Sequence, residues 1–140
     1  MVWFVIRVHN DATADLRDIR TNDPTGFNRL VALIEQLKAD PALGHKLLEH
    51  RYGDDRSGLI SVQKWVSVYS RVERLPVWRL KSWDLEGTGL RYRLIYLYYW
   101  RDRSYNILAI VRRDAINYDD PHHPLRRRII AAIHADFPRP

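Results

Sequence analysis

Residues 78–113, WRLKSWDLEGTGLRYRLIYLYYWRDRSYNILAIVRR, constrain the fold more than any other part of the chain. Aromatic and β-branched residues crowd three segments, 77–84, 90–100 and 104–113, and such segments bounded by turn residues read as strands. Gly87 and Gly89 turn the first connection, and Arg101-Asp102-Arg103-Ser104 turns the second. Three strands joined this closely form an antiparallel meander, which has to bury at least one face.

Successive side chains of a strand point to opposite faces. Trp78, Leu80 and Ser82 therefore share one face, and Val77, Arg79, Lys81 and Trp83 the other. In the second strand Leu90, Tyr92, Leu94, Tyr96 and Tyr98 oppose Arg91, Arg93, Ile95 and Leu97. In the third, Asn106, Leu108, Ile110 and Arg112 oppose Tyr105, Ile107, Ala109, Val111 and Arg113. Arg79, Lys81, Arg91 and Arg93 are thus expected together on an outward face, with Trp78, Leu80, Tyr92, Leu94 and Tyr96 buried against helices on the other. Directly paired side chains of neighbouring strands lie about 5 Å apart, so like charges in such pairs repel unless an anion lies on them. The Trp and Tyr residues around these cations favour a ligand that offers both phosphates and bases. The plainer alternative is an antiparallel face solvated by Arg and Lys.

The flanking sequence supplies the layers. VWFVIRVH, residues 2–9, reads as a strand. Residues 10–26 are polar and turn-rich, which predicts a loop with at most a short helical turn. Phe27, Leu30, Leu33, Ile34 and Leu37 form a helical stripe, with Thr25 or Asp23 as cap and Pro41 past its end. A short helix and a loop around Gly53–Gly58 follow. LISVQKWVSVYSRVERL, residues 59–75, suits either a helix or a strand, and the helical reading through Leu59, Val62, Val66, Tyr69 and Val72 is preferred. Leu125, Ile129, Ala132 and Ile133 give a closing helix its buried stripe. The expected architecture is a single α+β domain over residues 1–140, an antiparallel meander with an N-terminal strand packed against helices.

The chain of 140 residues carries a net charge of +6. Residues 1–70 hold nine Lys and Arg against nine Asp and Glu; residues 71–140 hold fourteen against eight. All the excess lies in the half with the meander, the footprint of a phosphate-binding surface. With no cysteine there is no thiolate metal site and nothing that requires an oxidising compartment. No apolar run is long enough to span a membrane, so a cytoplasmic protein is expected.

WRLKSW, YRLIY and IVRRDAINY together resemble the RelE/ParE superfamily of toxins from bacterial toxin–antitoxin pairs. The resemblance implies the element order β-α-α-β-β-β-α. It also implies a ribonuclease site of alternating basic residues on the second strand, an Arg within a tyrosine-flanked stretch of the third, and an Arg a few residues before a Tyr. Arg79 and Lys81 match the first, Arg93 the second, and Arg112 or Arg113 with Tyr118 the third. The chain is longer than is usual for that family, mainly at residues 10–25 and 44–75. Members of this kind cut messenger RNA on the ribosome and are neutralised by a small acidic antitoxin. The same fold also occurs in a gyrase-inhibiting branch, which typically lacks the full basic cluster, and a non-catalytic nucleic-acid-binding module is a further alternative.

The chemistry is coherent on its own terms. Attack by a 2′-hydroxyl requires no metal or cofactor, only a base, cations on the phosphorane and an acid for the leaving 5′-oxygen. A lysine crowded by arginines has its pKa pushed down, which suits Lys81 as base. Arg93 and Arg112 or Arg113 would grip the phosphate bidentately, and Tyr118 would stack a base or give a proton. Arg79, Arg91, Trp83, His122 and Arg126 are the expected further RNA contacts. Asp119, Asp120, His122 and His123 match a metal cluster only in composition, because Pro121 and their adjacency make joint ligation awkward. His134, Glu35 and Lys38 read as surface residues, and Arg126–Arg128 as either RNA contacts or a solvated run.

Overall fold

A computed structural model of the chain describes residues 4–65, 77–115, 120 and 122–138. In these residues the architecture is α+β, a five-stranded sheet with helices on both faces. The strands are β1 (Val5–Val8), β2 (Ile60–Lys64), β3 (Val77–Ser82), β4 (Tyr92–Tyr99) and β5 (Ser104–Arg112). Their order in the sheet is β1-β5-β4-β3-β2; β1 runs parallel to β5 and the other pairs are antiparallel. The helices are α1 (Asn10–Asn22), α2 (Pro24–Ala39), α3 (Leu43–Lys46), α4 (Trp83–Gly87) and α5 (Pro124–Asp136).

Of the α2 stripe Leu30, Leu33, Ile34 and Leu37 are buried as expected, while Phe27 is only half-buried and faces the Arg20 guanidinium; Asp23, rather than Thr25, caps the helix by accepting the Gly26 N–H at 3.1 Å. This face of the sheet contributes Trp78, Leu80, Tyr92, Leu94, Tyr96 and Ile107. On the opposite face Val77, Ile95, Leu97, Leu108 and Ala109 pack against Ile129, Ile133 and Phe137 of α5 and its C-terminal end. Both faces are therefore covered.

Residues 10–22, expected as a loop, form the whole of α1. His9 caps the helix, its ring Nδ1 accepting the Asp11 N–H at 3.1 Å. Ala12, Leu16 and Ile19 face the core at helical spacing while polar side chains cover the remainder. Residues 60–64, read as helical, are strand instead. Ile60 and Val62 alternate into the core, and the strand pairs with β3 from Ile60↔Ser82 to Lys64↔Trp78. The outer edge of β2 is closed by the preceding loop: the Arg51 N–H donates to Val62 O at 2.8 Å and the Val62 N–H to Tyr52 O at 2.9 Å. Gly53 makes this approach possible. Its φ is +78°, and a Cβ there would lie 1.8 Å from the Ile60 carbonyl oxygen. Residues 66–75 of the same predicted helix lie outside the described residues.

The third predicted strand keeps its alternation only up to a β-bulge. Ile95 pairs with Ala109 and Tyr96 with Ile107, which leaves Leu108 as the extra residue. Tyr105 and Ile107 thus share the α2 face with Ile110, whereas Leu108 and Ala109 both belong to the α5 cluster. Period-two counting across 104–113 fails at that one residue. The bulge is secured from outside the sheet. Asp15 accepts the Ile110 N–H at 3.0 Å and holds Arg128 through two bonds of 2.9 and 2.7 Å.

Candidate nucleic-acid interface

Cross-strand register assembles the cations. Arg79 lies opposite Ile95, and one residue beyond the Leu80↔Leu94 pair Lys81 comes opposite Arg93. On the other flank Arg93 pairs with Val111, and the Arg113 N–H donates to Arg91 O at 2.8 Å. Arg79, Lys81, Arg91 and Arg93 therefore share one face as expected, and Arg113 joins them, with Leu94 and Tyr92 buried on the reverse. Arg112 points the other way, its guanidinium carbon 5.9 Å from the Tyr92 ring centroid.

At the end of the sheet, Arg91, Arg112 and Arg113 line an open cleft of about 540 Å³ together with Gly89 and Asp114. All three arginines are exposed. Gly89, at φ +81°, lets the chain turn from α4 back into β4 and brings Arg91 to the rim. The cleft wraps the sheet end, taking Arg91 and Arg113 from one face and Arg112 from the other. Behind it, Tyr92 donates its hydroxyl to Asp23 at 2.8 Å. Burial and this carboxylate push the phenol up to about 12, while the Gly26 amide, Tyr92 and Arg112 hold the Asp23 carboxyl below its ordinary range.

Lys81 is half-buried, its ammonium 4.6 Å from the Trp83 ring centroid. Burial, then the charges of Arg93 and Arg113, lower its pKa against the opposing pull of Glu86 and Asp54. Arg93 is not an outward guanidinium. It is 7% exposed and donates to the Glu86 carboxylate and, at 3.1 Å, to the Tyr92 carbonyl oxygen. The reason is α4: Ser82 ends β3 by accepting the Leu85 N–H at 3.4 Å, and the helix that follows swings Glu86 over Arg93. The same helix removes Trp83 from the strand in which it was expected. Its indole N–H donates to Gly53 O at 2.9 Å and its ring meets the guanidinium of Arg56 at 4.6 Å as well as Lys81. Trp83 is thus engaged within the protein rather than presented to a base.

The remaining expected contacts divide. Arg79 is half-buried and donates to Gln63 Oε1 at 2.8 Å. Arg126 is 4% exposed and belongs to the packing of α5, not to an RNA surface. Arg128 is held by Asp15, so of that arginine run Arg127 alone is exposed. His122 is exposed and donates its N–H to Asp120 at 2.9 Å; His123 caps α5 by accepting the Leu125 N–H at 3.2 Å. Tyr118 and Asp119 lie outside the described residues. Lys38 pairs with Glu35 at 3.7 Å on the solvent side of α2.

Glu86, Asp54 and Arg56 join the cluster without having been expected from the sequence. Glu86 had a signal, a carboxylate on the short connection between two cationic strands. Arg56 reaches the cluster through the long loop before β2, and no local pattern marks it. The assembled site offers exposed guanidiniums for phosphate oxygens, an amine with a depressed pKa, and a carboxylate beside it. Comparison with protein-family models, with curated proteins and with solved structures finds no match. No helix among the described residues is long and apolar enough to cross a membrane.

Proposed function

We propose that this domain is a metal-independent endoribonuclease of the kind its RelE-type resemblance implies, cutting messenger RNA on the ribosome. The observation that supports this is one juxtaposition: Arg91 and Arg113, which line the open cleft with Arg112, share one face of the sheet with Lys81. The cleft arginines take the scissile phosphate oxygens bidentately. Lys81, in its neutral form, accepts the 2′-hydroxyl proton. The 2′-oxygen–phosphorus bond forms, the phosphorus–5′-oxygen bond breaks, and the products are a 2′,3′-cyclic phosphate and a 5′-hydroxyl. Tyr118, which the resemblance places in the site, either gives the departing oxygen its proton or stacks a base, water then supplying the proton. Arg93 is given a different role from the one its strand position suggested. Paired with Glu86, it acts through Lys81, whose proton affinity it lowers, and is a positioning residue. In the resting state a small acidic antitoxin covers the cleft, since an exposed arginine cluster favours an anionic partner.

Purified protein on programmed ribosomes tests the reading. Lys81→Met is expected to lose about 10²–10⁴ in cleavage rate while retaining binding, the usual contribution of a positioned proton acceptor. Arg91→Gln with Arg113→Gln is expected to weaken both. Mapping RNA 5′ ends after brief induction should show in-frame clusters. A second reading, a nucleic-acid-binding module without catalysis, is favoured by the neutralisation of Arg93 by Glu86, which removes the central cation from a phosphate's reach. Binding without cleavage on programmed ribosomes would establish that reading instead.

A further inference from the structure

The turn between β4 and β5 carries the most exposed large apolar side chain of the described residues, Trp100 at 51%. A lone exposed aromatic is ordinary on a protein surface. Three features distinguish this one. It adjoins two exposed arginines, Arg101 and Arg103, and the Arg101 guanidinium carbon is 5.8 Å from its ring centroid. The turn is also fixed in place. Asp102 accepts from Arg7 on β1 and from the Ser104 hydroxyl, and although burial opposes ionisation, these partners hold its carboxyl below the ordinary range. Finally, Arg103 sits at φ +55°, where glycine would sit without steric cost, so the turn keeps an arginine at a position that disfavours any side chain.

Arg91 immediately precedes β4 and Trp100 immediately follows it. At about 3.4 Å per residue the cleft and the turn are separated by roughly 31 Å along this strand. We propose that the Trp100 turn is a second contact for single-stranded nucleic acid. Trp100 stacks an unpaired base, and Arg101 and Arg103 meet the adjoining phosphates, so that one strand engages turn and cleft together. A single indole offers too little apolar area to anchor the domain in a bilayer, which favours a polynucleotide over a lipid surface. The inference shares the RNA of the proposed function but none of its chemistry.

Fluorescence anisotropy with a labelled single-stranded 12-mer of uridine tests it. Trp100→Ala is expected to weaken binding about 5- to 150-fold, the loss of one base–aromatic stack, and Trp100→Phe to retain most of it. Arg103→Gly removes the charge while relieving the backbone, so the fold holds and the slope of log affinity against log salt shrinks by about 0.7. Cleavage by either variant at saturating RNA keeps its kcat and shows a raised KM. Wild-type affinity in both Trp100→Ala and Arg103→Gly would overturn the turn contact and leave the cleft standing. Failure of the wild-type protein to bind the 12-mer would overturn both. Binding to phosphatidylserine vesicles in preference to the 12-mer would replace the nucleic acid with a membrane surface.

Discussion

Arg93 and Glu86 form an ion pair whose side chains are 9% and 17% exposed, joining β4 to the helix before it. Two charges so far from water gain from each other only while both are present. Arg93→Met is therefore expected to lower stability by about 3–5 kcal/mol, the usual cost of leaving a buried charge alone. Arg93→Met with Glu86→Leu should recover a substantial part of that loss in urea titrations; an additive double variant would show that the two side chains do not act as a pair. Lys81, next to them, has an opposite consequence for pH. Its folded-state pKa lies below the ordinary 10.5, so between the two values the unfolded chain binds the extra proton. Stability should then rise with pH through that window. Lys81→Met is expected to be more stable than the parent at pH 7, with the gain shrinking as pH approaches 10.5. A gain unchanged between about pH 7 and 10 would contradict the lowered pKa.

Elements are where the polar ion pair of Asp15 matters most. Asp15 on α1, Arg128 on α5 and the bulge in β5 come from three parts of the chain, yet Asp15 holds both the Arg128 fork and the Ile110 N–H. Arg128 also reaches Leu108 O at 3.4 Å, so the pair serves a donor and an acceptor of the bulged stretch of β5. Asp15→Ala should cost about 1–3 kcal/mol, the scale for leaving a buried donor unpaired. Hydrogen exchange of the Ile110 amide should quicken more than that of Leu94 at the centre of β4. Equal protection of both in the variant would mean that the bulge does not depend on Asp15. This arrangement also explains which elements could be read in advance. The α2 stripe and the alternation in β3 and β4 are local patterns, and both hold. The α1 helix is hidden because only Ala12, Leu16 and Ile19 face inward, and its polar remainder resembles a loop. The β2 strand is decided by its pairing with β3 and the loop at 51–52, which no short window contains. The bulge at Leu108 and the Glu86 cover on Arg93 likewise rest on partners distant in sequence or placed by a helix that the strand pattern concealed.

Across the whole molecule, a net charge of +6 could be spread evenly, but among the described residues 77–138 five of the six exposed arginines lie at two ends of one strand pair, Arg91, Arg112 and Arg113 at the cleft and Arg101 and Arg103 at the turn. The sequence located this excess in the C-terminal half; which guanidiniums stay exposed depended on the carboxylates they meet in space. Arg93 is covered by Glu86 and Arg128 by Asp15, so neither contributes a free phosphate ligand. Each guanidinium that does neutralise a phosphate releases counterions and adds about 0.7 to the slope of log affinity against log salt for a single strand. Replacing both Arg91 and Arg113 by Gln should therefore flatten that slope by about 1.4 for an RNA 12-mer, with the melting temperature little changed because both side chains are exposed. Arg127→Gln, which removes an exposed arginine on α5 away from the cleft lining, is the surface-charge control and should leave the slope within about 0.3 of the parent. Isothermal titrations at several salt concentrations measure both. A drop of about 0.7 for Arg127→Gln, half that of the double variant, would mean that the domain responds to total charge alone, and the cleft would lose its claim to be where the phosphates lie.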